Sequence, residues 1–335
     1  MNETCIDPGL IPTIALSTGS RIPALGLGTF GSDSVSAGAV ADTVSKGIYA
    51  GYRHIDCASV YGNEKEIGYV LAEMFHTGFL KREDLWVTSK VWNDMHDRVA
   101  ESCRQSLRDL QVDYLDLYLI HWPFPNYHPP KCDVTSRSPN ARPYIHDNYM
   151  RTWRQMERLV QEGLVRNIGT SNMTVPKLEL LLKDAAIRPA CNEMELHPHF
   201  QQSELFEFCL QNSIQPIAYC PLGSPGRPDR DRTPGDTVDL EDGVIKSIAK
   251  RLEASPAQVA IRWAIQRGQI PVPFSVHHYF ENLEGAVKIM LNEDDMERIS
   301  GIDKNCRLIK GQVFLWKDNQ RWEDLWDPSG EITPA

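Results

Sequence analysis

The alternation of short apolar runs with amphipathic segments is the feature that most constrains the fold of this chain. The runs have the length and composition of buried strands, and the segments between them carry apolar residues at helical spacing. Strands that alternate with helices predict βαβ units and a parallel sheet, and eight units favour closure into a single (β/α)8 TIM barrel. The eight runs are Ala24–Leu27, His54–Ala58, Leu85–Val91, Asp116–Trp122, Val165–Thr170, Ala190–Leu196, Ile214–Pro221 and Ile270–Val276. The helix-like segments include Glu64–Met74, Val99–Leu110, Tyr149–Val160, Lys177–Lys183, Ser203–Cys209 and Ala257–Ile265.

The segment before the first run predicts a small hairpin. Ile14–Pro23 has a turn-like centre at Ser17–Ser20, and a hairpin there would plug the bottom of the barrel. No linker rich in proline, glycine or serine divides the chain. We therefore expect residues 1–335 to form one barrel domain.

Two long connections and a tail are expected at the mouth of the barrel. The connections span residues 123–148 and 223–241, and both follow strand-like runs, so they should emerge at the carboxyl-terminal face. A predicted helix, Asp294–Ile302, precedes a tail that contains Trp316, Trp322 and Trp326. Because exposed tryptophans are costly, we expect this tail to fold over apolar surface.

Composition limits the classes of partner. Apolar residues make up 41% of the chain, enough for a sizeable core, and a formal net charge of -10 argues against a broad nucleic-acid surface. No apolar run is long enough to span a bilayer, and the N-terminus lacks the features of a signal peptide. Eight scattered cysteines without a C-x-x-C pair indicate a reducing, cytoplasmic setting. The histidine pairs 197/199 and 277/278 lack metal-ligand spacing, so no metal site is predicted.

Polar residues gather at the ends of the strand-like runs. In a barrel these ends converge on one mouth, where such folds carry their chemistry. Any single one of these residues could be a polar group that is hydrogen-bonded at a strand end and has only a structural role. A structural role explains poorly why polar residues recur at the ends of so many of the runs. The residues concerned are Asp56, Lys90, His121, Asn172, Glu193, Tyr219, Ser224 and Ser275.

The motifs around these residues resemble the aldo-keto reductase superfamily, most closely its aldose, aldehyde and xylose reductase branch. The resemblance covers most of the chain in order and implies an NAD(P)H-dependent oxidoreductase that reduces aldehydes or ketones to alcohols. It also implies a catalytic tetrad of Asp56, Tyr61, Lys90 and His121. The matching motifs are Gly26–Phe30, Gly51–Glu64, Val87–Trp92, Leu119–Pro123, Gly169–Asn172, Cys191–Pro198 and Tyr219–Ser224.

The tetrad makes chemical sense beside the resemblance. Carbonyl reduction needs a proton for the oxygen, and a free tyrosine has a pKa near 10, too high for efficient exchange at neutral pH. A Lys90 ammonium near Tyr61 would lower that pKa. Asp56 would hold Lys90 charged, and His121 would orient the carbonyl. A buried Asp56–Lys90 pair kept only for structure would leave Tyr61 and His121 unexplained.

The resemblance also implies which residues bind cofactor and substrate. Ser171, Asn172 and Glu193 would hold the nicotinamide carboxamide, with Tyr219 stacked on the ring. Leu222, Gly223 and Ser224 would meet the pyrophosphate, and 224–229 would form a belt over it. The further cofactor contacts are Gly28, Thr29, Phe30, Asp56, Ser275 and Asn282. The substrate contacts are Phe30, Trp92, His121 and Trp122.

Two departures from the family pattern concern the cofactor, which the resemblance gives as NADP or NAD. Glu193 stands where glutamine is usual, and it places negative charge near a ring that is cationic when oxidised, so the oxidised form would gain relative affinity. Phe274 stands where NADPH-preferring members carry lysine, and no arginine follows before Asn282. This departure predicts a relaxed or NAD-leaning preference.

Two other classes of function remain alternatives. One is a nicotinamide-binding regulatory or sensor barrel with little turnover, and the other is a bulk structural protein. The intact tetrad favours the enzyme. The expected partner is a small carbonyl substrate, without nucleic acid or membrane, for a monomer or weak dimer.

Overall fold

Eight parallel strands form one sheet in the computed structural model, which describes residues 5–32, 34–125 and 140–334, apart from the side chain of Arg230. A two-stranded antiparallel hairpin, β1 and β2, precedes this sheet. Neighbours along the sheet are consecutive in the chain, from β3 to β10. The strands are β1 Thr13–Ala15, β2 Arg21–Pro23, β3 Leu27–Gly28, β4 His54–Asp56, β5 Trp86–Val91, β6 Leu115–Ile120, β7 Val165–Ser171, β8 Cys191–Glu195, β9 Gln215–Tyr219 and β10 Ile270–Pro271.

Ten α-helices lie in the described parts of the chain. Helices follow every strand of the large sheet, as a (β/α)8 barrel requires. Two further helices, α7 and α10, pack together through Ile245, Ile248 and Ile299 beside α8. The helices are α1 Ala37–Ala50, α2 Glu64–His76, α3 Val99–Leu110, α4 His146–Gln161, α5 Val175–Asp184, α6 Ser203–Gln211, α7 Gly243–Arg251, α8 Pro256–Arg267, α9 Tyr279–Val287 and α10 Glu293–Ser300.

Backbone hydrogen bonds between the two edge strands close the barrel. Gly26 N–H donates to the carbonyl of Pro271 at 3.0 Å, and Gly28 N–H donates to the carbonyl of Pro273 at 3.0 Å. The predicted (β/α)8 fold is therefore confirmed. The first and last strands are shorter than their predicted runs, and β10 stops at Pro271 rather than Val276. Pro271 and Pro273 have no N–H to continue a ladder.

The hairpin closes one end of the barrel interior. Leu16 and Ile22 pack with barrel residues such as Leu117 and Ile217. Asn167, near the start of β7, accepts a hydrogen bond from the Thr18 hydroxyl at 2.5 Å. The hairpin thus covers the end opposite the strand carboxyl termini, as predicted. Among the described residues no helix has the length and apolarity needed to cross a membrane.

The long connections are described only in part. Most of the first, residues 126–139, lies outside the described residues. The second leaves β9 and contains short 3-10 turns at Asp229–Asp231 and Asp239–Glu241 before α7 begins. Both begin at the carboxyl end of a strand, so the prediction that they lie at the mouth agrees with the described ends.

Candidate active site

The polar residues at the strand ends converge on one mouth. Asp56 is the last residue of β4, Lys90 is the penultimate residue of β5, and His121 follows β6 directly. Asp56 pairs in register with Thr88, two residues before Lys90 on the neighbouring strand. Because side chains two residues apart on a strand share a face, Asp56 and Lys90 project into the same interior.

Lys90 is the centre of a buried cluster of charges. Its Nζ lies 2.6 Å from Asp56 Oδ2 and 3.4 Å from Glu193 Oε2, and it donates to the carbonyl of Cys57 at 3.1 Å. The Lys90 side chain has no exposed surface. Burial opposes its charge, but Asp56, Glu193 and Tyr61 together hold the pKa of Lys90 well above its ordinary value. Lys90 is therefore an ammonium at neutral pH.

The two carboxyl groups beside Lys90, those of Asp56 and Glu193, lie at different distances from its Nζ. Burial and the neighbouring Asp56 raise the pKa of Glu193 to about 8, although Lys90 opposes the shift. Burial also raises the pKa of Asp56, against the effect of Lys90. Asp56 is the nearer partner of Lys90, so we assign the carboxylate to Asp56 and the proton to Glu193.

Tyr61 lies between this cluster and the open mouth. Its ring centroid is 5.4 Å from Lys90 Nζ, 5.8 Å from the His121 ring and 5.2 Å from the Phe30 ring. Burial raises the pKa of Tyr61 above its ordinary value, and Lys90 lowers it by less. Lys90 lowers the Tyr61 pKa, as predicted. The net shift of this pKa is nevertheless upward, because burial outweighs Lys90, so the predicted net lowering is not found.

His121 is held as a neutral imidazole. Burial, together with the Lys90 charge, keeps the pKa of His121 well below its ordinary value. Its backbone carbonyl accepts from Asn172 Nδ2 at 3.0 Å, and its Nδ1 has no hydrogen-bond partner among the described residues. A neutral imidazole retains one N–H donor, which suits the orientation of an uncharged carbonyl oxygen.

The ends of β7, β8 and β9 form one polar wall beside the cluster. Tyr219 donates its hydroxyl hydrogen to Asn172 Oδ1 at 2.7 Å, and Asn172 Nδ2 donates to Ser171 Oγ at 3.1 Å. Glu193 lies on β8, the strand between β7 and β9. The structure thus brings together the four residues expected around a carboxamide and its ring: Ser171, Asn172, Glu193 and Tyr219.

The residues expected around the rest of the cofactor also fit a nucleotide. Asn282 is buried, and neither its side-chain nitrogen nor its oxygen has a partner among the described residues. Gly223 has φ +69°, and a Cβ there would lie 2.1 Å from Asp239 Oδ2. Buried unpaired amide atoms are features that a bound adenine would use, and a left-handed glycine, with no side chain, lets the backbone approach a pyrophosphate closely.

The other predicted cofactor residues are hydrogen-bonded within the protein. Thr29 donates its hydroxyl to the carbonyl of Asp56 at 2.8 Å. Ser275 Oγ accepts from the backbone N–H groups of His277, at 3.3 Å, and of His278, at 2.9 Å, just before α9. The Ser275 hydroxyl hydrogen stays available to donate. A Cβ on Gly28 would lie 2.7 Å from the carbonyl of Val272, so only glycine fits there.

The belt segment is fastened by ion pairs. Arg227 is buried, and its Nη2 lies 2.5 Å from Asp236 Oδ2. Asp236 Oδ1 in turn lies 3.0 Å from Lys310 Nζ, in the tail. Despite some burial, these cations and Thr233 hold the pKa of Asp236 well below its usual range. Both Nη atoms of Arg227 are therefore engaged within this segment, while its buried Nε has no hydrogen-bond partner among the described residues.

Aromatic rings form the outer wall of the mouth. Phe30 is 46% exposed, and the Trp92 ring lies 5.0 Å from the His121 ring. Trp122 is buried, because the tail covers it: Phe314 lies 4.4 Å away and Trp326 5.6 Å away. The tail folds over apolar surface as predicted, and Phe30 and Trp92 are better exposed to a substrate than Trp122.

Sequence reasoning missed a buried network that holds the connection after β9, residues 223–241, in place. His197 Nδ1 lies 2.8 Å from Asp239 Oδ1, and its Nε2 lies 3.1 Å from Glu195 Oε1. Glu195 also accepts from the backbone N–H of Leu308 and Ile309. His197, for which the sequence predicts no metal-binding role, therefore joins β8 to the connection after β9 and, through Glu195, to the tail. The signal available was a His-Pro-His segment directly after a buried strand.

Comparison with known proteins agrees with this geometry. The model of the Aldo/keto reductase family matches residues 24–304. Aldo-keto reductase family 1 member A1-A from Danio rerio is 42% identical over 323 residues, covering 94% of this chain and 97% of its own. Aldose reductase C from Dictyostelium discoideum is 40% identical over 308 residues, covering 90% of this chain and 92% of its own. The crystal structure of a Bombyx mori aldo-keto reductase in complex with NADP superposes with a TM-score of 0.80 at 33% identity, covering 91% of this chain and 96% of its own. The chain therefore belongs to the aldo/keto reductase family.

Proposed function

We propose that this reductase converts an aldehyde or ketone to an alcohol, with Tyr61 as the group that protonates the carbonyl oxygen. The observation that carries the proposal is the cluster itself: a buried Lys90–Asp56 ion pair with Tyr61 and His121 beside it at an aromatic mouth. A bound NADPH or NADH supplies the hydride. The protein's residues must then place the carbonyl and deliver one proton.

Each member of the cluster has a distinct role in this proposal. The neutral His121 donates a hydrogen bond to the carbonyl oxygen and fixes its position. Tyr61 donates the proton as negative charge develops on that oxygen, which is when a high-pKa donor becomes effective. Lys90 stabilises the tyrosinate that remains, and Asp56 keeps Lys90 charged and in place. Phe30 and Trp92 exclude water from the reacting groups.

The proposed cofactor contacts are those predicted from the sequence. Phe274 is proposed to lie where the ribose phosphate of NADPH would bind. Selection for NADPH needs cationic donors at the ribose phosphate. Phe274 offers none, Arg227 is paired with Asp236, and Ser275 can donate only a neutral hydrogen bond. We therefore propose a relaxed or NAD-leaning preference. His278 is itself paired with Glu281 at 2.8 Å, which places a carboxylate in the same neighbourhood.

Three further properties are part of the proposal and rest on the sequence. Residues 1–335 act as one domain, the protein is a monomer or weak dimer, and it works in the cytoplasm. Seven cysteines in the described part of the chain are free thiols, in keeping with a reducing compartment. A purely regulatory or structural role is less well supported, because it does not explain why a proton donor, Tyr61, lies at the mouth.

The test is turnover of a small panel of aliphatic, aromatic and sugar aldehydes with NADPH and NADH, followed by loss of reduced-cofactor absorbance. We expect steady reduction by the wild type. Tyr61→Phe should lower kcat by about 10²- to 10⁴-fold, the usual contribution of general acid catalysis, while the Kd for the cofactor changes little. A Tyr61→Phe enzyme with wild-type kcat at a saturating aldehyde would contradict the role of Tyr61. Absence of turnover by the wild type across the panel would contradict the reductase.

A further inference from the structure

Glu193 and Asp56 leave one acceptor atom each without a donor in a buried site. Asp56 Oδ1 and Glu193 Oε2 have no hydrogen-bond partner among the described residues, although Lys90 Nζ forms an ion pair with Glu193 Oε2 at 3.4 Å. Buried acceptors without donors are costly. A proton on Glu193 resolves the conflict, because a neutral Glu193 can donate to Asp56, and both side chains have an oxygen within 3.4 Å of Lys90 Nζ.

Charge balance leads to the same assignment. Glu193 is 3% exposed, and Lys90 is its cationic neighbour at 3.4 Å. Lys90 is already neutralised by Asp56 at 2.6 Å. Three ionised groups would leave one uncompensated negative charge in a dry interior, whereas a neutral Glu193 leaves none.

We propose that Glu193 is a carboxylic acid that gives up its proton when an oxidised nicotinamide lies against it, and that this proton replaces the one Tyr61 donates. The proposal rests on the proposed function and deepens it by adding a proton-holding residue to the site. Glu193 touches the cluster through Lys90, which also contacts Tyr61. A cationic ring beside Glu193 would favour the carboxylate, and a neutral reduced ring would favour the acid.

The proton transfers balance in the direction of reduction. The carbonyl carbon gains a hydride from the reduced cofactor, and the carbonyl oxygen takes the hydroxyl proton of Tyr61. The tyrosinate takes a proton from the Lys90 ammonium, and the Lys90 amine takes the proton of Glu193. One C–H and one O–H bond have formed, the cofactor is oxidised by two electrons, and Glu193 is a carboxylate beside the ring. Water returns the proton to Glu193 when the oxidised cofactor leaves.

The pH behaviour of this site depends on the groups that face Glu193 from the neighbouring elements. Lys90 favours the Glu193 carboxylate, and the other groups oppose it when they are ionised. Lys90 and Asp56 lie on β5 and β4, Tyr61 lies after β4, Tyr219 ends β9, and Cys191 lies on the same strand as Glu193. The groups concerned are Asp56, Tyr61, Lys90, Cys191 and Tyr219.

The experiment measures protons released on binding, and needs no turnover. Titration calorimetry of the full-length protein with NADP+ and with NADPH, in two buffers of different ionisation enthalpy at pH 7, gives the number of protons for each cofactor. The two cofactors carry identical phosphates, so their difference reports the ring. We expect NADP+ to release about one proton more than NADPH, and the ratio of Kd for NADP+ to Kd for NADPH to fall about tenfold per pH unit near pH 7.

Two isosteric variants separate Glu193 from other groups. In Glu193→Gln the difference in proton release should disappear, and the Kd ratio should become independent of pH. Glu64→Gln is the matched control, because Glu64 is equally buried but bonds to Ser89 and Ser106 instead of Lys90. It should behave as the wild type.

Each outcome has a defined meaning. A wild type that binds both cofactors with no difference in proton release overturns the inference and leaves the reductase standing. A difference that persists in Glu193→Gln also overturns it and assigns the proton to another group, such as Tyr61. Failure of the wild type to bind either cofactor would overturn the proposed function together with the inference.

Discussion

Burial sets the charge states of the residues at the mouth. It raises the pKa of Tyr61 and of Glu193, and it lowers that of His121. A dry site penalises the ionised form of each group, whichever sign it has. Lys90 is the exception, because Asp56 at 2.6 Å and the other acidic groups nearby hold its pKa well above its ordinary value despite burial. The mouth therefore presents uncharged donors to a substrate and keeps its charges behind them.

At the ribose end, a single side chain is expected to control the choice of cofactor. Phe274→Lys places an ammonium beside Ser275, and it should raise affinity for NADPH relative to NADH. A charge-assisted hydrogen bond contributes about 1.5–3 kcal/mol, so the ratio of the two Kd values should change roughly tenfold to a hundredfold. Fluorescence titration of both cofactors at pH 8 measures it.

Phe274→Gln is the matched control, since it removes the ring without adding charge and should leave the ratio near that of the wild type. A large NADPH preference of the wild type would show that another cation binds the phosphate.

At the scale of elements, the tail is fastened at both of its ends. Leu308 and Ile309 donate backbone hydrogen bonds to Glu195 of β8. Further along, Asp327 pairs with Lys177 of α5, and both side chains are buried. The aromatic residues between these two anchors cover Trp122. The middle of the tail is thus a lid on the mouth, held by anchors that do not touch the catalytic cluster.

Removal of this lid should change substrate preference more than cofactor affinity. A chain ending at Lys310 keeps the Leu308 and Ile309 bonds but loses Phe314 and Trp326, so Trp122 becomes part of an open pocket. Contacts in apolar pockets discriminate substrates by about 1–3 kcal/mol, so the kcat/KM ratio of a bulky aromatic to a small aliphatic aldehyde should shift roughly tenfold or more. The Kd for the cofactor should change much less.

The truncation needs a companion substitution. Loss of Asp327 would leave Lys177 as an unpaired buried cation, at a cost of about 3–5 kcal/mol, so the shortened chain should carry Lys177→Met. A chain ending at Ser329 keeps Asp327 and serves as control. Equal kcat/KM ratios for all three proteins would refute the lid, and failure of only the shortest chain to fold would show that the tail belongs to the core.

The elements that could be predicted are those whose signal is local. All eight strands appear near their predicted runs, because continuous apolar stretches mark buried strands. The sequence pattern does not predict helices α1, α7 and α9. In α1, Val40, Val44 and Ile48 are buried at helical spacing, but alanine and glycine on the other faces weaken the amphipathic contrast. The closure of the tail on Trp122 joins residues about two hundred positions apart and leaves no local pattern.

At the scale of the whole molecule, the sequence predicts that the strand-end residues converge at the mouth. It does not predict which of these residues are charged there. The barrel brings the strand ends together whatever lies between them, so motif order sufficed to place Asp56, Lys90 and His121 side by side. The rise in the Tyr61 pKa depends on how deeply the hydroxyl is desolvated, which only the packed structure defines. The same holds for the link that His197 makes between β8, the connection after β9 and the tail, because its partner Asp239 is distant in sequence.

That link predicts how the stability of the whole protein varies with pH. Although burial opposes it, hydrogen bonds to Asp239 and Glu195 raise the pKa of His197 to about 9. A raised folded-state pKa adds stability that is fully present below the unfolded value near 6.5 and is lost as pH rises through 9. Between pH 6.5 and 9.5 the loss should reach about 3 kcal/mol. Urea unfolding followed by tryptophan fluorescence at the two pH values measures it in the wild type and in His197→Gln.

The variant should be less stable at pH 6.5 and should lose less stability on going to pH 9.5, by about that same 3 kcal/mol. Comparison between proteins cancels the other groups that titrate in this range. His54→Gln is the matched control, because burial holds the pKa of His54 at about 3 and this histidine is uncharged throughout. It should lose as much stability as the wild type between the two pH values. If His197→Gln loses as much as well, His197 carries no charge in the folded protein, and no ion pair to His197 holds the connection after β9.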